Sequence, residues 1–486
     1  MTMNVLFTAS ELFPLIKTGG LADVAHSLPN ALAQLDVDMR LVLPAYRQVL
    51  SGISGLRVLG WIKTSTGREV RILEGDHPEV TMPIWLVDVP ELFDRPGDPY
   101  TDASGNDWPD NPVRFALFSQ VAASLAIDAL GLGWRADVVH ANDWQTGLVP
   151  AYLATESAPP RTLFTVHNLA YDCQFDFTVF QGLQLPSYWW SLEYGEFYGR
   201  FSMLKAGIIF CDQITTVSPR YAQEIRTTEL GYAYADVLEA NAGKLVGILN
   251  GIDDVTWDPR TDPLLAARYH VNGKIRVAKR ANRQTLLKAL DASEAAREQR
   301  GPLVGSVGRL VYQKGTDLLL DAIPALLTDS DAQFVIIGSG EAKLEQQLSE
   351  LAQAWPDRLF CHIGYSETLA HQLEAACDIF AMPSRYEPCG LNQLYSLRYG
   401  TPPVVRETGG LADTVEDADP HSLARGEANG FVFREASSAA LGEALRRAFA
   451  LHAKPKQWMK LIKTGMRGDY GWRNSAQSYL QLYRAE

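Results

Sequence analysis

The string Thr-Gly-Gly-Leu-Ala-Asp occurs twice in this sequence, at residues 18–23 and again at 408–413. A Gly-Gly pair allows close backbone approach to a ligand, and a helix that starts there presents free N–H groups to an anion. Two such loops, Gly19-Gly20 in one half of the chain and Gly409-Gly410 in the other, suit a sugar diphosphate gripped from both sides. Lys17 stands directly before the first copy and adds a point charge beside it. Two further cations, Arg309 and Lys314, lie in GRLVYQKG just after a short apolar run. Cations at the carboxyl end of a strand neutralise charge developing on a diphosphate leaving group, a task that many transferases give to a metal held by a DxD carboxylate pair. The DxD matches here, Asp36/Asp38 and Asp417/Asp419, sit in polar loop contexts and read as incidental.

Other motifs supply acids and polar groups. In RYEPCGL, Glu387 falls between an apolar run and a helical pattern. It is placed either to bind sugar hydroxyls and stabilise an oxocarbenium-like transition state, or merely to cap the helix. The backbone N–H groups of Leu391 and Asn392, at that helix start, are placed for a phosphate. HANDW and TVHNL bring Asp143 and His167 to the ends of two strand-like runs. A lone histidine at a strand end is more often structural than catalytic, but two such motifs on neighbouring ends favour one wall of a cleft. The aromatic run YWWSLEYGEFYGRF, residues 188–201, suits either a stacking platform for sugar rings or a core. The Gly338-Ser339-Gly340 string lacks the third glycine and the acidic ribose contact of a dinucleotide site.

These residues need elements that bring them together. Apolar runs near residues 301–307, 333–337, 359–363, 378–382 and 403–405 alternate with helical patterns, which implies βαβ units and a parallel sheet. The first half repeats that alternation, with strand candidates at 4–8, 40–43, 137–140, 162–166 and 213–217. Residues 55–88 read as antiparallel strands inserted into that sheet. A length of 486 residues exceeds the roughly 250–300 at which one core stops growing, so two domains are expected. Their bounds are set at 1–248 and 249–464, split at the turn-rich LNGID, with an amphipathic helical segment 465–486 returning to the first domain. Ligands of doubly wound sheets sit beyond the carboxyl ends of the strands, so the fold class is α/β, two Rossmann-like domains facing each other across a deep cleft.

Composition narrows the partners. The net charge of −13 carries no basic stripe, which argues against nucleic acid. No run approaches the roughly 20 apolar residues of a membrane span. Residues 1–10 read as a first strand rather than a secretion signal. Five cysteines without a CxxC pair fit a reducing compartment, and the cytoplasm is expected.

Taken in order, KTGGLADV, HANDW, FTVHNLAY, LNGID, GRLVYQKG, SRYEPCGLNQLY and TGGLADTV resemble the bacterial glycogen synthases and plant starch synthases, from about residue 5 to 483. The resemblance implies a retaining GT-B glycosyltransferase that moves glucose from ADP-glucose to the non-reducing end of an α-1,4-glucan and releases ADP, with no cofactor and no metal. It implies that Lys17, Gly19 and Gly20 contact donor phosphate and sugar, that Arg309 and Lys314 bind the diphosphate, and that Glu387 lies by the transferred glucose. Asp143, His167 and Asn250 match positions around the sugars, Tyr365 one near the adenine, and Gly409-Gly410 a second loop at the sugar. Cys389, Gly390, Leu391 and Asn392 are carried over as substrate-binding positions. Three positions depart from the family pattern: Asn142 for a frequent histidine, Asn282-Arg283 for Asn-Lys, and Asn392 for a common threonine. A different nucleotide donor or a small acceptor is one alternative. A non-catalytic glucan-binding homologue is another, and the presence of Lys17, Arg309, Lys314 and Glu387 opposes it.

Overall fold

Short apolar runs flanked by turns become strands buried on both faces, which is why they read as continuous rather than alternating. The structure is a computed structural model that describes residues 2–485. The chain divides into one unit of Met1–Asn250 with Trp472–Glu486, and a second of Gly251–Gly471.

In the first unit, β1 (Met3–Thr8), β2 (Val37–Pro44), β3 (Ser54–Lys63), β4 (Glu69–His77), β5 (Val80–Asp88), β6 (Val138–Asn142) and β7 (Arg161–Val166) join one sheet. Three short strands, β8 (Gln174–Phe175), β9 (Glu196–Phe197) and β10 (Arg200–Ser202), form a small separate sheet. The chain then returns to the main sheet through β11 (Gln213–Thr216) and β12 (Leu245–Gly247), in the order β12-β11-β7-β6-β1-β2-β5-β4-β3. From β12 to β5 every pairing is parallel. The order therefore reverses at β1, whose neighbours are β6 and β2, and that is the topological switch point. The antiparallel insertion expected over 55–88 is smaller than that: β5 pairs parallel with β2 and completes the doubly wound sheet, leaving only the β3–β4 hairpin as an antiparallel extension at the edge. The difference arises because β5 is buried throughout its last five residues, as a parallel strand is, whereas β3 is largely exposed.

The second unit holds β13 (Leu303–Val307), β14 (Gln333–Gly338), β15 (Leu359–Ile363), β16 (Ile379–Met382), β17 (Pro403–Arg406) and β18 (Phe431–Phe433), all parallel, in the order β15-β14-β13-β16-β17-β18. This is a Rossmann order with its switch between β13 and β16. Alternate residues feed two separate cores. Val304, Phe334, Ile336, Ile379 and Val404 pack on one face with the helices Thr316–Asp329 and Ser438–His452. Leu303, Val335, Ile337, Phe380 and Val405 pack on the other with Ile275–Ala289 and Glu367–Ala376.

The return to the first unit falls after Gly471 rather than at 464/465. Trp458, Leu461, Ile462 and Met466 all sit in the core of the second unit, and Tyr470 packs against it. Only the helix Trp472–Arg484 crosses back, burying Trp472, Ala476, Tyr479, Leu480 and Tyr483 along one stripe. Among the described residues no helix is long and apolar enough to cross a membrane.

Candidate functional site

The chemistry-bearing residues gather in two groups, one at each switch point. In the second unit, β13 ends at Val307 and the chain passes through Gly308-Arg309 to a single 3-10 turn, Tyr312–Lys314. From the adjacent β16, residues 383–391 form a loop before the helix Asn392–Arg398. Lys314 Nζ meets Glu387 Oε2 at 2.6 Å, and the Ser384 hydroxyl donates to the same oxygen at 3.0 Å. Glu387 is 5% exposed, so its carboxylate is held from inside the loop and does not cap the following helix, whose N-cap is Leu391. Leaving such a buried carboxylate without its cation costs roughly 3–5 kcal/mol.

Arg385, to which the sequence reading gave no task, joins the two loops. Its guanidinium makes paired 2.7 Å bonds to Asp317, donates to Tyr312 O and lies 3.5 Å over the Tyr312 ring. Arg309 is exposed and reaches Gln313 Oε1 at 3.3 Å. Asn392 sends Nδ2 to Val307 O at 2.8 Å, tying the helix start to the end of β13. The second Gly-Gly pair backs this loop. Gly410 N–H donates to the carbonyls of Glu387 and Pro388, at 3.1 and 3.2 Å. A Cβ on Gly409 would strike Glu387 O, and one on Gly410 would strike the backbone of Cys389. Tyr365 lies further along, after β15, with its ring exposed and its hydroxyl on Glu367.

In the first unit, β6 leads into Asp143 and β7 into His167. Asp143 has φ 57° and ψ 179°, a region that side-chain-bearing residues rarely enter and whose strain costs on the order of 1–3 kcal/mol. Its Oδ1 accepts the His167 N–H at 2.7 Å. Burial, reinforced by the charge of Glu11 and opposed by the N–H groups of His167 and Asn168, pushes its pKa up to about 7. His167 is kept neutral by burial, which takes its pKa down to about 3. Its tautomer follows from Asn142. The Asn142 amide nitrogen donates to the carbonyls of Thr8 and His140, so its oxygen must accept from His167 Nε2, 2.9 Å away. Nδ1 of His167 is then the bare nitrogen. Asn142 thus has a definite structural task at the position where the family often has histidine.

The first TGGLAD copy differs from the second. Gly19 and Gly20 are exposed, and a Cβ on either would meet nothing within 4 Å. Gly20 opens the helix Gly20–Ala33. Lys17 pairs with Asp23 at 2.9 Å. The amides of Thr18 and Gly19 are engaged by the carboxylate of Glu11, at 2.6 and 3.2 Å. One string therefore does two jobs: an open loop in one unit and a close-packed backing in the other. Asn250 ends the first unit with a buried Oδ1 that has no hydrogen-bond partner among the described residues.

Other sequence candidates resolve as structural. The aromatic run 188–201 is mainly core: Phe201 is fully buried in a stacked pair with Phe175 and Trp189 in an edge-on pair with Tyr152, leaving Tyr188 and Tyr198 exposed. Both oxygens of Asp417 accept from Arg447 Nη2, Asp419 caps a helix, and Asp38 accepts from Trp134. Arg283 holds Gly301 O and Gln333 Oε1, at the amino ends of β13 and β14 and away from the site. Gly340 lets the loop after β14 pack on Leu310. Among the described residues, no three His, Cys, Asp or Glu side chains gather as a metal site. Sequence reading missed Glu11 and Arg385, whose tasks show only in the contacts of the folded chain.

Residues 4–240 match the family described as the starch synthase catalytic domain, and residues 288–464 match glycosyl transferases group 1. The glycogen synthase of Hydrogenovibrio crunogenus is 49% identical over 99% of this chain and 100% of its own. That of Thioalkalivibrio sulfidiphilus is 50% identical over 99% of each. Among solved structures, the catalytic domain of starch synthase IV from Arabidopsis thaliana, bound to ADP and acarbose, superposes with TM-score 0.89 at 33% identity, over 99% of both chains. Sucrose-phosphate synthase from Thermosynechococcus elongatus, at 17% identity and TM-score 0.58 over 99% of this chain and 98% of its own, shares the fold. With two Rossmann-like units and near-half identity along its length, this chain belongs to the glycogen and starch synthase family of GT-B glycosyltransferases.

Proposed function

We propose that the chain transfers glucose from ADP-glucose to the non-reducing 4-hydroxyl of an α-1,4-glucan with retention, releasing ADP, and that its own cations replace a metal. The observation that carries the site assignment is the meeting of Lys314 and Glu387 at the switch point of the second sheet. In glycosyl transfer, negative charge builds on the leaving diphosphate and positive charge on the sugar ring. Arg309 and Lys314 answer the first, and the carboxylate of Glu387 answers the second. The helix start at Leu391-Asn392 and the turn at Cys389-Gly390 hold the donor, while Gly409-Gly410 fix the backbone of Glu387 beneath it. The exposed ring of Tyr365 takes the adenine.

Lys17, Gly19 and Gly20 are assigned to donor phosphate and sugar, as the family resemblance implies. Asp143, His167 and Asn250 bind sugar hydroxyls, the last through its unpartnered oxygen. In front-face attack the acceptor oxygen bonds to the anomeric carbon as the bond to phosphate breaks, and the acceptor proton passes to the departing phosphate oxygen. The cytoplasm is the compartment, and neither nucleic acid nor membrane is a partner. Initial rates with ADP-, UDP- and GDP-glucose on one glycogen primer test the donor. A clear preference for ADP-glucose supports the reading, and a preference for either other nucleotide overturns it.

A further inference from the structure

At the first switch point, β1 ends at Thr8 and the next residues carry Glu11 inward, where it is 3% exposed. Its carboxylate accepts four hydrogen bonds. Thr18 N–H and Thr18 Oγ1 donate at 2.6 Å each, Gly19 N–H donates at 3.2 Å, and the Tyr100 hydroxyl donates at 2.6 Å. Tyr100 is in turn linked to Ser10 Oγ at 2.8 Å. The two amides are those that a glycine-rich loop before a helix would otherwise offer to an anion. An internal carboxylate holds them instead, so the phosphate-facing work of the loop falls to Lys17 and to the start of the helix at Gly20.

Besides Glu11, the loop is held by the Lys17–Asp23 ion pair and by Lys17 lying 5.5 Å over the Phe13 ring. Lys17 through Gly20 are exposed, and the space around both glycines is open. A loop with so few packing contacts keeps its conformation through its polar contacts, and its two backbone amides run to Glu11 while Lys17 runs to Asp23. We infer that Glu11, steadied by Tyr100, is a positioning residue that sets the Lys17–Gly20 loop in the conformation that receives the nucleotide-sugar. This rests on the reading of that loop as a donor contact. It adds a residue that reaches substrate only through the loop, and it explains why an exposed Gly-Gly pair is pinned from below.

Steady-state kinetics on three variants, with melting temperature measured on each, test the inference. Glu11→Ala removes the acceptor and is expected to raise the KM for ADP-glucose about tenfold, with a smaller change in kcat, since a hydrogen bond to a charged group is worth roughly that factor. Glu11→Gln keeps the geometry: its oxygen can accept from the two amides, and its NH2 group can donate to Thr18 Oγ1 and the Tyr100 hydroxyl. It is therefore expected to restore KM to within about threefold of wild type. Wild-type KM in a folded Glu11→Ala variant overturns the inference, as does equal impairment of the Ala and Gln variants, which would assign the role to charge alone. Should Glu11→Ala fail to fold, Tyr100→Phe removes one donor of four, and an unchanged KM in both it and Thr18→Val overturns the inference equally. Lys17→Ala run in parallel separates the two readings. If it leaves donor kinetics untouched, the loop is not a donor contact. If it weakens the donor while Glu11→Ala does not, only the positioning role falls.

Discussion

Lys314 and Glu387 show how much of a site two side chains determine. Lys314→Ala strands the buried carboxylate of Glu387 and, on the proposed role of Lys314 at the leaving diphosphate, kcat is expected to fall by about 10²–10³ in a variant that still melts cooperatively. Activity near wild type would remove Lys314 from the machinery. Asp143 carries a pH signature. Its pKa of about 7, raised by burial, leaves it protonated below neutrality and a carboxylate above. If the carboxylate accepts from a sugar hydroxyl, kcat/KM rises with pH through about 7, and Asp143→Asn flattens that limb. The residues legible from sequence were those whose motifs mix charge with glycine at a strand end: Lys17, Arg309, Lys314 and Glu387. Glu11 and Arg385 were not, because a carboxylate that binds backbone amides or a guanidinium that joins two loops looks like any surface charge until the chain is folded.

At the scale of elements, the repeated string gives a direct contrast. Gly409 has φ +43° and its Cβ would strike Glu387 O, whereas Gly20 opens a helix into free space. Gly409→Ala is expected to cost about 2–4 kcal/mol of stability, and Gly20→Ala under about 0.5, as chemical denaturation would measure. Equal costs would contradict the packing account. The helix Glu367–Ala376 supplies a pH test. Burial alone would depress the pKa of His371, but its hydrogen bonds to Asp262 and Glu367 outweigh that and raise it to about 9. Its contribution is fully present below about pH 6.5, is lost as pH rises through about 9, and amounts to at most about 3 kcal/mol. Wild type should therefore lose more melting temperature between pH 6.5 and 9.5 than His371→Gln does. The parallel strands were legible because double-sided burial writes continuous apolar runs. The place of β5 was not, since a strand that closes a parallel sheet and one that opens a hairpin share the same local pattern, and only the pairing with β2 distinguishes them.

At the scale of the molecule, the last helix belongs to the first unit although the segment before it belongs to the second. Tyr483 bonds His140 Nδ1 at 2.7 Å, beneath the strand that carries Asp143. Ending the chain at Gly471 removes Trp472, Ala476, Tyr479 and Tyr483 from that core and should abolish cooperative unfolding of the first unit, read by near-ultraviolet circular dichroism. The most direct test of the whole is ADP release from ADP-glucose with and without glycogen, in buffer containing a metal chelator. Rapid release that depends on glycogen and survives chelation is the result predicted for a glucosyltransferase whose own cations stabilise the leaving diphosphate. No release with glycogen, even after magnesium is restored, would contradict it.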